Sequence, residues 1–120
     1  DRSNGKFGTT GHSRGGTNSF FLSDVKLTSK FLEGTKGFDA ILPEAAECRM
    51  AGFFAEPELT SNTTMLVVHG GADDYTLAKF CKEHAERIKA PPGKVKVDIK
   101  EGWYHAWAAG KKPWRENRSF

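Results

Sequence analysis

The chain has 120 residues, of which 38% are hydrophobic and 28% are charged, and its formal net charge is +3. This composition is typical of one globular domain and excludes the disordered, fibrous and collagen-like classes. The lysines and arginines are spread along the chain rather than gathered in a stripe, which argues against a nucleic-acid partner. No apolar run approaches the roughly 20 residues of a membrane span, so we expect no membrane partner either.

Four short β-prone runs follow one another along the chain. The third run is apolar throughout, which predicts a central strand covered on both faces of a parallel sheet. The fourth alternates Val95, Val97 and Ile99 with polar residues, which predicts one buried face. The four runs are KFGTT (6–10), FDAIL (38–42), MLVVH (65–69) and KVKVDIK (94–100).

The clearest predicted helix covers residues 76–90. Apolar residues recur there at helical spacing, with His84 on the same face, and lysines and glutamates take the other face. Asp74 or Thr76 is placed to cap its start, and Pro91 and Pro92 end it. A weaker helix is predicted directly after Ser13. Strands alternating with helices predict an α/β fold, a parallel sheet with flanking helices.

Two cysteines, Cys48 and Cys81, are too few for a disulfide framework and lack the spacing of metal ligands. We therefore expect two buried free thiols and no metal site. His69 and His84 are interpreted as packed or surface histidines rather than ligands, because they form no metal-binding pattern. His69-Gly70-Gly71 is interpreted as a strand end followed by a turn.

The pentapeptide Gly11-His12-Ser13-Arg14-Gly15 has the pattern G-x-S-x-G and lies between a predicted strand and a predicted helix. In that setting a serine sits in a strained conformation on a sharp turn, and small neighbours let the strand and the helix approach closely. The pattern alone is a weak signal, because glycine and serine are common. It predicts a nucleophile only if a base and a carboxylate follow.

Both partners follow in the chain. Asp73 comes just after the third predicted strand and His105 just after the fourth. The order serine, acid, histidine is that of hydrolases built on this turn, with each residue at the carboxyl end of a strand. Asp74 is an alternative acid, although its position also suits the start of the helix.

The strings GHSRGG, VVHGGADDYTLAKFCKEHAERI and VKVDIKEGWYHAW together resemble the C-terminal half of an α/β-hydrolase of the dienelactone hydrolase type. The resemblance runs from about Arg2 to Trp107. It implies a serine hydrolase that needs no cofactor and cleaves small-molecule carboxylic esters through an acyl-enzyme. It makes Ser13 the nucleophile, Asp73 the orienting acid and His105 the general base, and it assigns the backbone N–H of Arg14 to the oxyanion hole.

Dienelactone hydrolase itself carries cysteine at the turn, so Ser13 favours the wider group of serine esterases. The implied fold has further strands and helices before the turn. We therefore expect the chain to be one partial domain over residues 1–120, with a basic tail at 108–120. A preceding N-terminal half, a partner chain or another copy would complete the sheet, and the chain alone would be a poor catalyst.

Four further residues are candidates for binding the substrate. His12 lies inside the pentapeptide, and Trp103, Tyr104 and Trp107 flank His105. The aromatic side chains fit an acyl pocket and a packed core equally well, and His12 could instead pack against the sheet. Two alternative functions stay open: a peptidase of the prolyl-oligopeptidase kind, and a non-catalytic fragment or interaction module that pairs through its sheet edge.

Overall fold

The computed structural model describes residues 4–31, 37–51, 57–60 and 62–107. Within these ranges the chain forms four strands that pair in parallel in the order β1-β2-β3-β4, with helices between them. The predicted α/β fold is thus confirmed, and each predicted strand is found within two residues of its expected position. The strands are β1 Gly8–His12, β2 Ala40–Glu44, β3 Thr64–Gly70 and β4 Val95–Lys100. The helices are α1 Arg14–Phe21, α2 Val25–Phe31, α3 Cys48–Ala51 and α4 Ala78–Arg87.

The hydrophobic core lies between one face of the sheet and the helices. Helix α1 packs on β1 and β2, and α4 packs on β3 and β4. The sheet contributes Ile41, Met65 and Val67 to this core, and helices α1 and α4 contribute Phe20 and Ala85. None of the helices in the described ranges is long and apolar enough to cross a membrane. The proposed tail at 108–120 lies outside the described residues.

The prediction that β3 is covered on both faces is wrong for the described residues. Met65 and Val67 are fully buried, whereas Leu66 between them is 40% exposed. The described helices pack on the face that carries Met65 and Val67, so among the described residues no helix covers the opposite, open face. A shallow apolar depression of about 390 Å³ runs across that open face. Its lining includes Leu42 and Leu66.

Helix α4 begins later and ends sooner than predicted. Its N-cap is Leu77, without a side-chain cap, so the prediction that Asp74 or Thr76 caps the helix is wrong. At the other end Ile88 turns to extended backbone. Lys89 then exchanges backbone hydrogen bonds with the 57–60 segment, accepting from Leu59 and donating to Pro57, both at 2.9 Å.

His84 packs inside the core, as one of the two predicted alternatives has it. Its ring meets the ring of Phe20 edge-on, with 5.0 Å between the centroids. Burial, together with the charge of Arg87, lowers the pKa of His84 to about 4. The imidazole is therefore neutral near pH 7, where it behaves as a packing side chain.

Cys48 and Cys81 form a disulfide, so the prediction of two free thiols is wrong. The cysteines are 33 residues apart in sequence, but the sheet brings α3 beside α4 and their Cα atoms to 4.9 Å. Both residues are buried. A cysteine count carries no information on this proximity, because it depends on how the two helices pack.

Replacing both cysteines with alanine is expected to lower the free energy of unfolding by about 3 kcal/mol, because the bond closes a long loop in the unfolded chain. Urea unfolding of the oxidised protein and the double variant measures this difference. A reducing agent should lower the stability of the wild-type chain and leave that of the double variant unchanged. Equal stabilities of the oxidised protein and the double variant would contradict the disulfide's contribution.

Candidate active site

Ser13 occupies the turn between β1 and α1 in a conformation that side chains rarely adopt. Its backbone angles are φ 57° and ψ −115°. Such a conformation costs about 1–3 kcal/mol and persists only where neighbours hold it. Here the Ser13 N–H donates to the carbonyl oxygen of Glu44 at 2.8 Å, and the Ser13 carbonyl accepts the N–H of Thr17 at 3.0 Å. The strained strand-to-helix turn that the pentapeptide predicts is therefore present.

Two glycines around Ser13 allow α1 to approach the strands. A Cβ atom on Gly11 would lie 2.4 Å from the carbonyl of Gly15, and one on Gly16 would lie 2.5 Å from the carbonyl oxygen of Glu44. Real Cβ atoms do not come this close to backbone atoms. Gly15, although part of the G-x-S-x-G pattern, has no such atom within 4 Å. The close approach thus depends on Gly11 and Gly16.

The structure therefore predicts different effects for two adjacent glycines. Gly16→Ala should lower the free energy of unfolding by about 1–3 kcal/mol or more, because the added methyl group would overlap the backbone carbonyl of Glu44, which cannot move away. Gly15→Ala should be neutral or slightly stabilising, since alanine is the better helix former by about 1 kcal/mol. Urea unfolding of the two variants makes the comparison. Equal losses of stability in the two variants would contradict the close approach of α1 to β1 and β2.

Ser13, His105 and Asp73 form one hydrogen-bonded row at the carboxyl edge of the sheet. The Ser13 Oγ lies 2.8 Å from His105 Nε2, and His105 Nδ1 lies 2.8 Å from Asp73 Oδ2. Ser13 follows β1, Asp73 follows β3 and His105 follows β4. Asp73 and His105 are buried. The expected contact of His105 with Asp73 is confirmed; the catalytic roles of the three residues stay predictions.

Asp73 is held by four donors. Its Oδ1 accepts the N–H groups of Tyr75 and Thr76 at 2.9 and 2.8 Å, and its Oδ2 accepts from Thr76 Oγ1 and from His105. Burial alone would raise the pKa of this carboxyl, but the hydrogen bonds from His105 and Thr76 hold it below the ordinary value. Asp73 is therefore ionised near neutral pH and is oriented towards His105.

Arg14 is the first residue of α1, directly after Ser13. Its N–H has no acceptor within the helix, as for every first residue of a helix, and the positive end of the helix dipole lies there. This is the position at which negative charge on a substrate oxygen beside Ser13 would be stabilised. The oxyanion role of the Arg14 N–H stays a prediction.

A cavity of about 580 Å³ opens beside Ser13. Of the four predicted substrate-binding residues, His12 lines it, whereas Trp103, Tyr104 and Trp107 are not among its described lining residues. Trp107 instead packs edge-on against His12, with 4.8 Å between ring centroids, and Trp103 lies 5.4 Å from Trp107. The lining comprises His12, Ser13, Arg14, Thr17, Asn18, Phe21, Glu47, Tyr75 and Thr76.

Several lining residues were not predicted from the sequence. Tyr75 places its ring 4.9 Å from that of His105, and its position two residues after Asp73 is a signal that could have identified it. Glu47 lies between β2 and α3, and its N–H donates to Thr17 Oγ1 of α1 at 2.9 Å. The side-chain hydrogen bonds from Arg49 lower the pKa of Glu47, so this part of the wall carries a compensated ion pair.

Comparisons of the chain with protein-family models, with curated proteins and with solved structures found no match. In the part of the chain that the structure describes, no group of three or more His, Cys, Asp or Glu side chains could hold a metal ion. The function must therefore be inferred from the geometry of the site itself.

Proposed function

We propose that the chain is the catalytic part of a serine hydrolase that cleaves carboxylic esters through an acyl-enzyme. We further propose that it is the C-terminal half of an α/β-hydrolase of the dienelactone hydrolase type. The observation that carries the proposal is the row from Ser13 through His105 to Asp73, which begins at a strained strand-to-helix turn. Serine, imidazole and carboxylate in this order are the groups that acyl transfer requires.

The first half of the reaction forms the acyl-enzyme. Ser13 Oγ attacks the ester carbonyl carbon while its proton passes to His105 Nε2, and Asp73 stabilises the resulting imidazolium. The Arg14 N–H donates to the carbonyl oxygen as it gains negative charge. When the tetrahedral intermediate collapses, the bond to the alkoxy oxygen breaks, and the alcohol leaves with the proton from Nε2. The acyl group remains on Ser13.

The second half releases the acid. A water molecule gives a proton to His105 Nε2 and attacks the acyl carbon, so that a second tetrahedral intermediate forms. Its collapse breaks the bond to Ser13 Oγ, which takes the proton back from Nε2. The free enzyme is restored, and neither step uses a metal ion or an organic cofactor.

The cavity beside Ser13 favours a small ester with an aromatic or aliphatic group. Its volume lies within the range of pockets for small organic molecules. Phe21 and Tyr75 supply aromatic surface, and Asn18 supplies an amide for a polar group. Glu47 contributes little net charge, because Arg49 binds both of its carboxylate oxygens. Arg14 is then the remaining charged residue of the lining, so the cavity suits a neutral or an anionic ester.

The open face of the sheet supports the proposal that more polypeptide completes the domain. Parallel sheets are normally covered on both faces, yet Leu66 is exposed here beside an apolar depression. β1 is an edge strand of the described sheet, and the unpaired backbone groups of an edge strand tend to pair with another strand. A preceding segment, a partner chain or a second copy would cover this face. It would also be the source of the second oxyanion donor.

The same open face favours one alternative function, an interaction module without catalysis. The peptidase alternative shares the triad and differs in its substrate. Hydrolysis of p-nitrophenyl esters and of a matched proline p-nitroanilide by the purified chain distinguishes the esterase, the peptidase and the interaction module. Ester hydrolysis well above anilide hydrolysis supports the proposal, comparable rates would indicate a peptidase, and rates no higher than those of Ser13→Ala would indicate a non-catalytic module.

A further inference from the structure

Thr76 is a buried residue of the turn before α4, and its hydroxyl lies among the groups of the triad. The side-chain oxygen is 2.8 Å from Asp73 Oδ2 and 3.0 Å from His105 Nδ1. It is also 3.1 Å from the carbonyl oxygen of Ala45. The residue is 2% exposed.

A hydroxyl has one hydrogen to donate, which limits how this cluster can be arranged. The nearest acceptor is the ionised carboxylate oxygen Asp73 Oδ2 at 2.8 Å, so the Thr76 hydrogen is assigned to it; the Ala45 carbonyl oxygen and His69 Nε2 lie farther away, at 3.1 and 3.5 Å. The lone pairs of Thr76 Oγ1 then face His105 Nδ1, and Asp73 Oδ2 faces the same nitrogen. Asp73 Oδ2 accepts only and lies 2.8 Å from His105 Nδ1, so Nδ1 carries the hydrogen of the neutral ring, and Thr76 Oγ1 lies beside it at 3.0 Å as a second acceptor.

The opposite tautomer is disfavoured by the same contacts. A bare Nδ1 would face Asp73 Oδ2 at 2.8 Å with no hydrogen between the two acceptors, and a Thr76 hydroxyl that donated to Nδ1 would no longer donate to Asp73 Oδ2. The ring hydrogen would then sit on Nε2, where it would face the Ser13 oxygen that has to lose its proton. A serine nucleophile needs an unprotonated Nε2, so the arrangement around Nδ1 decides whether His105 can act as a base.

Thr76 is itself fixed from two sides. Its N–H donates to Asp73 Oδ1 at 2.8 Å, so backbone and side chain together hold both oxygens of the carboxylate. The hydroxyl oxygen also lies 3.1 Å from the carbonyl oxygen of Ala45, the residue after β2, where the backbone adopts φ 43°. The hydroxyl therefore has little freedom to leave its place between Asp73 and His105.

We propose that Thr76 is a positioning residue: it holds Asp73 through its N–H and its hydroxyl, and together with Asp73 it fixes the orientation and the Nδ1–H tautomer of His105. This inference rests on the proposed function for its catalytic consequence. Thr76 acts through His105 and Asp73 and needs no contact with the reacting atoms of the substrate.

The test replaces the hydroxyl at nearly constant volume. Thr76→Val should lower kcat for ester hydrolysis by about 10- to 100-fold, part of what general-base catalysis contributes, with KM little changed. Thr76→Ser, which keeps the hydroxyl, should stay within a few fold of the wild type. The matched control is Thr63→Val, which removes an equally buried hydroxyl at the other end of β3 and should leave kcat unchanged.

A second measurement reads the tautomer without relying on activity. Nitrogen-15 NMR of histidine-labelled protein should show a protonated Nδ1 and an unprotonated Nε2 on His105 in the wild type and in Thr76→Ser. In Thr76→Val the two nitrogens should shift towards a mixture of tautomers. If thermal unfolding shows that Thr76→Val does not fold, Thr76→Ala takes its place, since it cannot overpack the site.

The two measurements separate the failure of this inference from that of the proposed function. A wild-type chain without ester hydrolysis would refute the proposed function, while the tautomer comparison would still test Thr76. A folded Thr76→Val protein with unchanged kcat and tautomer would overturn the positioning role. So would a Thr76→Ser protein as impaired as Thr76→Val.

Discussion

Replacing Ser13 with alanine is expected to lower kcat for ester hydrolysis by at least roughly 10³-fold, and by up to about 10⁶-fold in the completed domain. The physical reason is that no other group in the row can form the acyl-enzyme. His105 Nε2 then has no hydroxyl to deprotonate. The site can only weakly assist the direct attack of water on the ester. Initial rates with p-nitrophenyl esters measure the change.

Ser19→Ala is the matched control for this prediction. Ser19 lies on α1, is as buried as a core residue, and donates its hydroxyl to the carbonyl of Gly15 at 3.0 Å. Ser19→Ala removes this hydrogen bond and leaves Ser13, His105 and Asp73 in place, so kcat should stay within a few fold of the wild type. Equal activity of Ser13→Ala and Ser19→Ala would refute the nucleophile assignment.

Replacing Asp73 with asparagine is expected to lower kcat by about 10⁴-fold, the loss that this change produces in a serine protease triad. An asparagine Oδ1 can still accept the N–H groups of Tyr75 and Thr76, so the turn should keep its shape. Its amide nitrogen, however, would donate to His105 Nδ1 and place the ring hydrogen on Nε2. Ester kinetics and circular dichroism together separate this effect from unfolding.

Asp74→Asn is the control, because Asp74 is the alternative acid that the sequence allows. The structure places Asp73, and not Asp74, at 2.8 Å from His105 Nδ1. We therefore expect Asp74→Asn to keep kcat within a few fold of the wild type. A large loss in Asp74→Asn with little loss in Asp73→Asn would contradict the arrangement.

Local patterns were enough to predict the strands, the α/β fold and the contact between His105 and Asp73. The pentapeptide 11–15 was enough to predict a turn at Ser13, and the strands place Asp73 and His105 at one edge because parallel strands end at the same edge. These features depend on spacing along the chain, and spacing is visible in a sequence.

Features that depend on how distant segments pack could not be predicted in the same way. The disulfide requires α3 to lie beside α4, and the place of Glu47 in the cavity depends on its contact with Thr17, 30 residues earlier in the chain. The apolar run of β3 predicted cover on both faces. Such a run shows that both faces of a strand could be buried, but it does not show which segments pack on them. Which glycine permits the close approach at the turn likewise depends on where Glu44 lies.

The most direct test of the central claim is covalent labelling of the wild-type chain with a fluorophosphonate, followed by intact-mass measurement and peptide mapping. An activated serine is phosphonylated once: its oxygen bonds to phosphorus, fluoride leaves, His105 accepts the serine proton, and the adduct resembles the tetrahedral intermediate. We predict a single adduct on the peptide that contains Ser13. A folded chain that gains no adduct, or gains it on another serine, would contradict the assignment of Ser13, His105 and Asp73 as a catalytic triad.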